Sequence, residues 1–503
     1  MSIIMSDDST SPPVAPSSSR DASLGCAPEV VSGRRWLGLA VGSLVLAGLL
    51  SLSLVLGRMP PFDRLVTDPQ FFRRCLVVHV DLSLVVWFYA FVAALLSTLP
   101  ERGSSSRVSR AGVFVSTAGV ALLVLSAGAP GSRPIVSNYV PMIDHPLFAA
   151  GLVAFGAGVL ASFTDARLFP DTPTGGVVLR LPDAAVPGLR ATAIALLLAA
   201  LTFAGSWWNR PSGLVVDTLF ELANWGGGHV LQLASTCAML SVWLILLAGV
   251  LGRSPVSRRV ASGLFGALLL PWLVAPLLAA RGIQDVEART AFTQLMRFAI
   301  FPVVLAFLVL CVRALLNARR SGELSAHGLR DPRALAFAVS AALAVVGAIL
   351  GALIRGSTTM VPAHYHASIG AVTAAFMGVA YPLLAGLGYP LPTTRQRALA
   401  RVQPVVYGVG QLVFAVGFAL AGAGGMARKS YGHEQAARSL GGTAGLFVMG
   451  LGGLLAVAGG LLFLVIVIVA WRSGHAKNRG ADDTSPPWRS PWNKPSQSIH
   501  SSG

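Results

Sequence analysis

Two histidines, His364 and His366, stand one residue apart in the apolar stretch VPAHYHASIG. The imidazole nitrogen of a neutral histidine is a common ligand for iron. Because residues i and i+2 lie about 200° apart around an α-helix, the two rings face nearly opposite sides. They cannot share one small metal ion without breaking the helix. The spacing instead indicates a planar iron cofactor on each side of one helix.

These histidines are set in a membrane protein. The chain has 503 residues, of which 54% are hydrophobic and 12% charged, which is too apolar for an ordinary soluble domain. Apolar runs of about 20 residues, enough to cross a bilayer, recur along the chain. We count twelve: 36–57, 76–98, 111–129, 146–165, 190–208, 219–251, 260–280, 291–316, 334–354, 363–388, 402–424 and 442–471. The sequence therefore predicts an all-α polytopic membrane domain.

The domain is expected to span 34–472, between disordered tails at 1–33 and 473–503 that are rich in Ser, Pro and Asp. The net charge of +17 is unevenly distributed, since most of the 38 Lys and Arg fall on the side that holds both termini. By the positive-inside rule both termini are cytoplasmic, in a bacterial-type inner membrane. Topology and anionic headgroups explain the basic excess, so the expected partner is the lipid bilayer and not nucleic acid.

The chain has four cysteines, which are scattered without a CxxC or CxxCH motif. This argues against a disulfide framework and against covalently attached c-type haem. Under the predicted topology five histidines fall in the outer half of the membrane: His79, His145, His229, His364 and His366. Intramembrane ionisable groups are costly and mark functional sites. Haem is the planar iron cofactor that fits between membrane helices.

The transmembrane body from about 36 to 471 resembles subunit I of the haem-copper oxidase superfamily, which includes terminal oxidases and nitric oxide reductases. MVPAHYHASIG resembles the family's tenth-helix A-H-x-H motif, and VVHVDLS its second-helix histidine. WGGGH resembles the sixth-helix tryptophan-glycine-histidine motif, and GMARK the G-M-P-R-R before the last helix. The resemblance implies a twelve-helix bundle that binds two non-covalent haems of b or a type.

The resemblance also implies a role for each matching residue. His364 would be the proximal ligand of a high-spin haem, whereas His79 and His366 would be the two ligands of a low-spin haem. His229 would be one ligand of a non-haem metal, copper or iron. The two basic residues Arg428 and Lys429 would contact the haem propionates, where cations beside carboxylates are favourable.

The sequence departs from the family at the reaction centre. Pro276 and Leu277 fall where the seventh helix would present two adjacent histidines, and Leu231 and Leu233 fall where a glutamate and a tyrosine often stand. The cytoplasmic halves of the spans contain no Asp, Glu or Lys, so no inward proton path is evident. A single histidine does not hold copper. We therefore expect retained haem ligands, a degenerate oxygen-reducing site and less than one copper per chain.

The predicted function is that of a cytochrome c oxidase subunit I-like membrane haem protein in aerobic or respiratory electron transfer. Whether it is an enzyme stays open, because copper ligands and proton-path residues are missing. A small respiratory subunit or a periplasmic electron donor is the expected partner. One alternative is a non-catalytic relative whose five-coordinate haem at His364 binds or senses nitric oxide or oxygen. Another is a twelve-span transporter whose histidines bind protons or metal ions.

Three local expectations concern neighbours of the histidines. The glycines of WGGGH, Gly226 to Gly228, are expected to let a flat macrocycle or a metal approach the helix, with close helix packing as the alternative. Asp81 is expected to pair with Arg73 or Arg74 and not to orient His79. Asp144 is expected to cap the fourth helix.

Overall fold

The fold was analysed in a computed structural model, which describes residues 28–65, 68–98, 107–163, 179, 181–391, 393–429 and 439–477. The first helix begins at Pro28 and the last ends at Lys477. Each therefore extends several residues into a stretch that hydropathy assigns to a tail. The rest of the two predicted tails, 1–27 and 478–503, lies outside the described residues.

The described chain contains fifteen α-helices, several of which join into longer rods. Their bounds are α1 Pro28–Leu56, α2 Pro69–Val80, α3 Trp87–Leu96, α4 Arg107–Ser126, α5 Pro146–Ser162, α6 Val186–Trp208, α7 Val216–Leu251, α8 Arg258–Leu269, α9 Ala275–Ala280, α10 Val286–Leu295, α11 Phe301–Arg320, α12 Pro332–Ala352, α13 Met360–Gly386, α14 Thr394–Ala423 and α15 Leu440–Lys477. A π-helical segment, Asp81–Val86, joins α2 to α3, and a second one, Met296–Ile300, joins α10 to α11. The 3₁₀ segment Leu270–Val274 joins α8 to α9.

Within the described ranges, ten of these helices or rods are long and apolar enough to cross a membrane. Two more apolar helices, Arg110–Ser126 and Pro146–Ser162, have 17 residues or fewer, at the lower end of the length that spans a bilayer. Each of the twelve apolar runs coincides with one of these elements. The predicted all-α polytopic membrane architecture is therefore confirmed.

The two shorter helices, α4 and α5, form a tight antiparallel pair because glycines let their backbones meet. A Cβ atom at Gly112 would lie 2.5 Å from the carbonyl oxygen of Gly158, and one at Gly119 would lie 2.6 Å from the amide nitrogen of Phe155. Small residues are the usual means of close helix packing in a membrane, where burial of apolar side chains gives little driving force.

Helix α13, which carries His364 and His366, is the most buried of the long helices. Inside the bundle, 78% of its most apolar window is buried, compared with 28% for the rod Arg258–Ala280. It packs against α12 on one side and α14 on the other. The histidine pair is therefore held in the centre of the molecule and not on its lipid-facing surface.

One element departs from the all-helical expectation. Strands β1 (Arg133–Ile135) and β2 (Met142–Asp144) form an antiparallel hairpin in the connection between α4 and α5. Its loop, Val136–Pro141, contains Tyr139, the one non-glycine residue of the described chain with a positive φ, at 67°. A left-handed backbone at a bulky residue costs energy and is often found at functional sites.

Candidate functional site

A single large cavity in the bundle is lined by four of the five histidines of the outer layer: His79, His229, His364 and His366. Its volume is about 1340 Å³, above the roughly 300–1,000 Å³ of an ordinary small-molecule pocket. Apolar residues of several helices make up most of the wall. The structure therefore brings together the histidines that the sequence analysis singled out, except for His145.

His145 has a structural role outside the cavity. Its Nδ1 accepts a hydrogen bond from the amide of Leu147 at 3.2 Å, so that the imidazole caps α5. The expectation that Asp144 would cap this helix is wrong, because the residue at the cap position is His145. A histidine that accepts from an N-terminal amide uses the same lone pair that a metal would need.

Main-chain carbonyl groups orient three of the four cavity histidines. The Nδ1–carbonyl pairs are His79 with Ala47 at 2.8 Å, His229 with Trp225 at 2.7 Å and His364 with Gly347 at 2.7 Å. A carbonyl oxygen can only accept, so Nδ1 carries the proton in each ring. The lone pair of a neutral imidazole is then on Nε2, which is the usual arrangement of a histidine ligand with its second shell in place.

The rings of His364 and His366 contact different neighbouring helices. His364 lies against α12, where a Cβ atom at Gly351 would be only 2.8 Å from its Nδ1. His366 packs against α14, with ring centroids 4.6 Å from Phe414 and 5.8 Å from Phe418. The two imidazoles therefore point to different sides of α13, as their spacing predicts.

His79 lies near His366 in the cavity. The two imidazoles are close enough to interact electrostatically, and Arg58 is a third member of this group. The Arg58 guanidinium also lies over the ring of Phe418, 5.4 Å from its centroid. No hydrogen bond to the ring of His366 occurs within the described part of the chain, so its nitrogens are available to a ligand in the cavity.

Cations line the cavity without any carboxylate. The five basic lining residues are Arg58, Arg297, Arg355, Arg428 and Lys429, and no Asp or Glu is among the described lining residues. Cations gathered along a cleft with low-dielectric walls attract anions to it. This set therefore favours an anionic occupant, and Arg428 and Lys429 are two of its members. Arg58 and Arg355 could not be recognised from the sequence, because nothing in their local sequence separates them from ordinary loop arginines.

Arg428 and Lys429 are held by a short connection before α15. The amide of Arg428 donates to the carbonyl of Ser357 at 3.2 Å, next to an isolated bridge between Thr358 and Ala427. The ammonium of Lys429 lies 3.5 Å from a carboxylate oxygen of Glu221. Lys429 is therefore shared between the cavity and Glu221, whereas Arg428 has no such ion pair within the described residues.

His229 is bonded at both ring nitrogens. Its Nδ1 donates to Trp225, and its Nε2 lies 2.9 Å from the hydroxyl oxygen of Tyr139. Because Nε2 carries the lone pair, the phenol must be the donor of this second bond. A metal ion at His229 would need the nitrogen that Tyr139 occupies.

Among the described residues, no other side chain completes a metal site at His229. Leu277, at one of the lost ligand positions, is 70% exposed on the outside of the bundle, and neither it nor Pro276 has a ligating atom. Across the described ranges, no three His, Cys, Asp or Glu side chains converge as metal ligands would. The residues present therefore do not fit a second, non-haem metal.

One face of α7 holds the hairpin that carries Tyr139. The carboxylate of Glu221 accepts from the amide of Asn138 at 3.0 Å and also from its side chain. The side chain of Asn224 donates to the carbonyl of Val140 at 3.1 Å. A Cβ atom at Gly228 would collide with the ring of Tyr139. Glu221, Asn224 and Gly228 are spaced by three and four residues, so they lie on one side of the helix.

The glycines of WGGGH therefore have a different role from the expected one. The space beside Gly226 is filled by Phe292, that beside Gly227 by Phe203 and that beside Gly228 by Tyr139. Protein side chains, and not a macrocycle or a metal, approach the helix at all three positions. Tyr139 itself gives no signal in the sequence. Glu221 and Asn224, polar residues near the start of α7, were the sequence signal that a loop binds there.

Tyr139 lies outside the membrane-spanning segments, and its phenol is the neutral form. Burial raises the pKa of the Tyr139 hydroxyl, the Arg428 charge opposes this rise and the Glu221 charge adds to it. The phenol therefore keeps the proton that it donates to His229.

Asp81 does not form the ion pair that was predicted for it. It is 1% exposed, and neither carboxylate oxygen has a hydrogen-bond partner in the described chain. The predicted pairing with Arg73 or Arg74 is therefore wrong. Asp81 starts the π-helical segment after His79 and is not among the residues that line the cavity. The residue is thus an uncompensated polar group in the core.

Comparison with solved structures shows that this architecture is similar to a known one. A haem-copper terminal oxidase, determined as a dimer by cryo-electron microscopy, superposes with a TM-score of 0.68 at 15% sequence identity. The match covers 88% of this chain and 84% of the oxidase chain. The chain therefore has the fold of a haem-copper terminal oxidase, which confirms the predicted bundle.

Two curated relatives are similar in sequence, and both are uncharacterised proteins. One, from Aquifex aeolicus (strain VF5), is 27% identical over 356 residues, covering 70% of this chain and 85% of the relative. Another, from Rickettsia prowazekii (strain Madrid E), is 24% identical over 496 residues, covering 86% of this chain and 94% of the relative. No family model matches the chain.

Proposed function

We propose that this chain is a membrane haem protein of respiratory electron transfer that holds two non-covalent haems in the central cavity. One observation carries the proposal: a single 1340 Å³ cavity is lined by His79, His364 and His366, whose rings contact three different helices, together with five cations and, among the described lining residues, no carboxylate. Haem iron supplies one-electron chemistry between its ferrous and ferric forms. The chain supplies the ligands, their orientation and the charges for the propionates.

In this proposal His79 and His366 would together hold a low-spin haem, and His364 would hold a high-spin haem. The carbonyl groups of Ala47 and Gly347 keep Nε2 of His79 and His364 free for iron. Such second-shell bonds also raise the basicity of the ligand. Arg428 and Lys429 are proposed to bind propionates, as charge-assisted hydrogen bonds favour.

The cellular setting belongs to the same proposal. The chain is a multi-pass membrane protein with ten helices, among the described residues, that can cross a bilayer. We infer a bacterial-type inner membrane with both termini in the cytoplasm, from the distribution of Lys and Arg. A small respiratory subunit or a periplasmic electron donor would deliver electrons. Copper-dependent reduction of oxygen is not part of the proposal, because the residues at His229 do not fit copper.

A second function is favoured by a specific observation. His364 donates from Nδ1 to Gly347 on α12 and, among the described residues, no second imidazole interacts with it as His79 does with His366. A haem held by one histidine can bind a diatomic gas at its open face. The second candidate is therefore a haem protein that binds or senses nitric oxide or oxygen without reducing it.

The test is a pyridine haemochrome assay of the purified chain, with iron and copper counted on the same sample. We expect two haems and two irons per chain, and well below one copper. A colourless protein would contradict both candidates and leave the transporter reading. One haem per chain would contradict the two-haem arrangement. Oxygen consumption by the haem-loaded protein then separates electron transfer to oxygen from gas binding alone.

A further inference from the structure

The hydrogen bonds of His229 determine which kind of ligand the pair of His229 and Tyr139 can bind. Nδ1 of His229 donates to Trp225, and Nε2 accepts the phenolic proton of Tyr139. A tyrosine hydroxyl has one hydrogen to donate and lone pairs to accept with. With its hydrogen committed to His229, the Tyr139 oxygen offers the cavity an acceptor only.

A second acceptor lies one helical turn further along α7. Gln232 lines the cavity, and its side-chain oxygen is buried without any hydrogen-bond partner within the described ranges. Residues i and i+3 are neighbours on one helix face, so the amide of Gln232 follows His229 along the cavity wall. A buried polar atom without a partner is costly and calls for an unobserved one. A small ligand with two hydrogens to donate matches these two oxygens.

The backbone supports a positive role for Tyr139. Its φ of 67° is unfavourable for a non-glycine residue, and Glu221, Asn138, Asn224 and Gly228 hold the loop in that conformation. When neighbouring residues hold an unfavourable backbone conformation at the wall of a cavity, the position of that side chain often matters for function. The ring contacts His229 with centroids 4.5 Å apart.

We propose that Tyr139 replaces a second metal at His229, and that the Tyr139–His229 pair together with Gln232 forms a metal-free site that binds water at the open face of the His364 haem. The absence of a metal rests on the geometry of His229 alone. The position of the water rests in addition on the proposed haem at His364. The two parts fail separately, so each has its own experiment.

The first experiment tests the metal. The purified holoprotein is equilibrated with excess copper and, separately, with excess zinc, and bound metal is counted after gel filtration. We expect wild type and His229→Ala to retain the same amount, well below one ion per chain. One tightly bound ion in wild type that His229→Ala loses and His145→Ala keeps would overturn the proposal. This readout does not depend on whether haem is present.

The second experiment tests the water by resonance Raman markers of haem coordination in the ferric protein. We expect a six-coordinate high-spin signal in wild type that becomes five-coordinate in Tyr139→Phe and weakens in Gln232→Leu. The control is Tyr389→Phe, which removes a phenol outside the cavity, where Arg34 lies over the ring at 4.9 Å; it should retain the wild-type signal.

A five-coordinate wild type, or a Tyr139→Phe spectrum identical to wild type, would overturn the water site. Loss of all haem in wild type would instead contradict the proposed function. In that case the metal count still reports on Tyr139 and His229. Circular dichroism and size-exclusion profiles of the variants verify that each compared protein is folded.

Discussion

At the scale of single residues, the site depends on which nitrogen of each imidazole is left free. His79, His229 and His364 all donate from Nδ1 to a main-chain carbonyl, so each presents Nε2. His79 and His364 line the cavity, and their Nε2 atoms have no hydrogen-bond partner among the described residues, whereas Nε2 of His229 is bonded to Tyr139. Three histidines with the same internal hydrogen bond thus differ in the availability of Nε2 because of one phenol.

The first prediction concerns the proposed axial pair. His79→Ala and His366→Ala should each abolish the low-spin haem signal, because a six-coordinate haem needs both imidazoles. His364→Ala should remove the high-spin signal and leave the low-spin signal in place. Reduced-minus-oxidised spectra of purified variants measure both. His145→Ala is the control and should leave both signals intact, and normal spectra in both axial variants would show that the ligand assignment is wrong.

The second prediction concerns Gly351, against which the ring of His364 lies. An alanine there would place Cβ 2.8 Å from Nδ1 of His364, so the ring must shift and its bond to Gly347 must weaken. Overpacking of this kind costs about 1–3 kcal/mol, which corresponds to roughly a five- to 150-fold loss of affinity. Haem titration of Gly351→Ala should show this loss at the high-spin site only.

The control for Gly351 is Gly38→Ala. A Cβ atom at Gly38 meets nothing within 4 Å, so this variant carries the same change in helix propensity without the steric conflict. Equal haem affinity in the two variants would show that His364 does not need the space beside Gly351.

The third prediction concerns the buried carboxyl group of Asp81. Asp81→Leu should raise the thermal unfolding midpoint, because removal of a buried polar group without a partner relieves a cost of roughly 1–3 kcal/mol. Asp63, which is also buried at 2% exposure but has an interaction partner, is the matched control. Asp63→Leu should lower the midpoint. A lower midpoint for Asp81→Leu would indicate a partner or a role that the carboxyl group fulfils.

At the scale of elements, hydrophobicity predicts the membrane-spanning helices but not the short connections between them. The twelve apolar runs were predictable because every span must be apolar over a bilayer thickness. The β1–β2 hairpin was not, because its strands have three residues each and its stability comes from α7. The histidines were found from their types and spacing, whereas Tyr139 was missed because a loop tyrosine is ordinary until the loop is placed on the cavity.

The fourth prediction tests how α7 holds the hairpin. Glu221→Ala removes the acceptor of the Asn138 amide and the partner of Lys429. Hydrogen bonds to a charged group contribute about 1.5–3 kcal/mol each, so amide exchange in the 136–141 loop should accelerate at least about tenfold. Hydrogen–deuterium exchange mass spectrometry measures this change.

Glu287→Ala is the control for the hairpin. The Glu287 side chain is 85% exposed and pairs only with Arg281 in the described residues. Its loss should leave exchange in the 136–141 loop unchanged. Protection in Glu221→Ala equal to wild type would mean that Tyr139 and Asn224 suffice to hold the loop.

At the scale of the whole molecule, the innermost helices are those that carry the site. Helices α13 and α7 have 78% and 72% of their most apolar windows buried, and they carry His364, His366 and His229. The general fold was predictable from composition and spacing. The hydrogen bonding of the central histidines was only partly predictable, because the second hydrogen bond of His229 comes from a residue 90 positions away in the chain.

The fifth prediction concerns orientation in the membrane. Ser212 and Ser321 are exposed in turns at opposite ends of the bundle. In a chain whose Cys26 is replaced by serine, a membrane-impermeant thiol reagent should label Ser212→Cys in intact cells and Ser321→Cys only after lysis. This follows if both termini are cytoplasmic. The reverse pattern would invert the topology and move the histidine layer to the inner half of the membrane.

The carbonyl groups that fix the imidazoles have a consequence for evolutionary drift. Every amino acid carries the same main-chain oxygen, so replacement of Ala47 or Trp225 by another residue leaves the acceptor of His79 or His229 in place. Substitutions at such positions can therefore accumulate without changing the orientation of the imidazole rings. Divergence in such a molecule is limited by the curvature and register of its helices, and much less by the identity of the residues beside the rings.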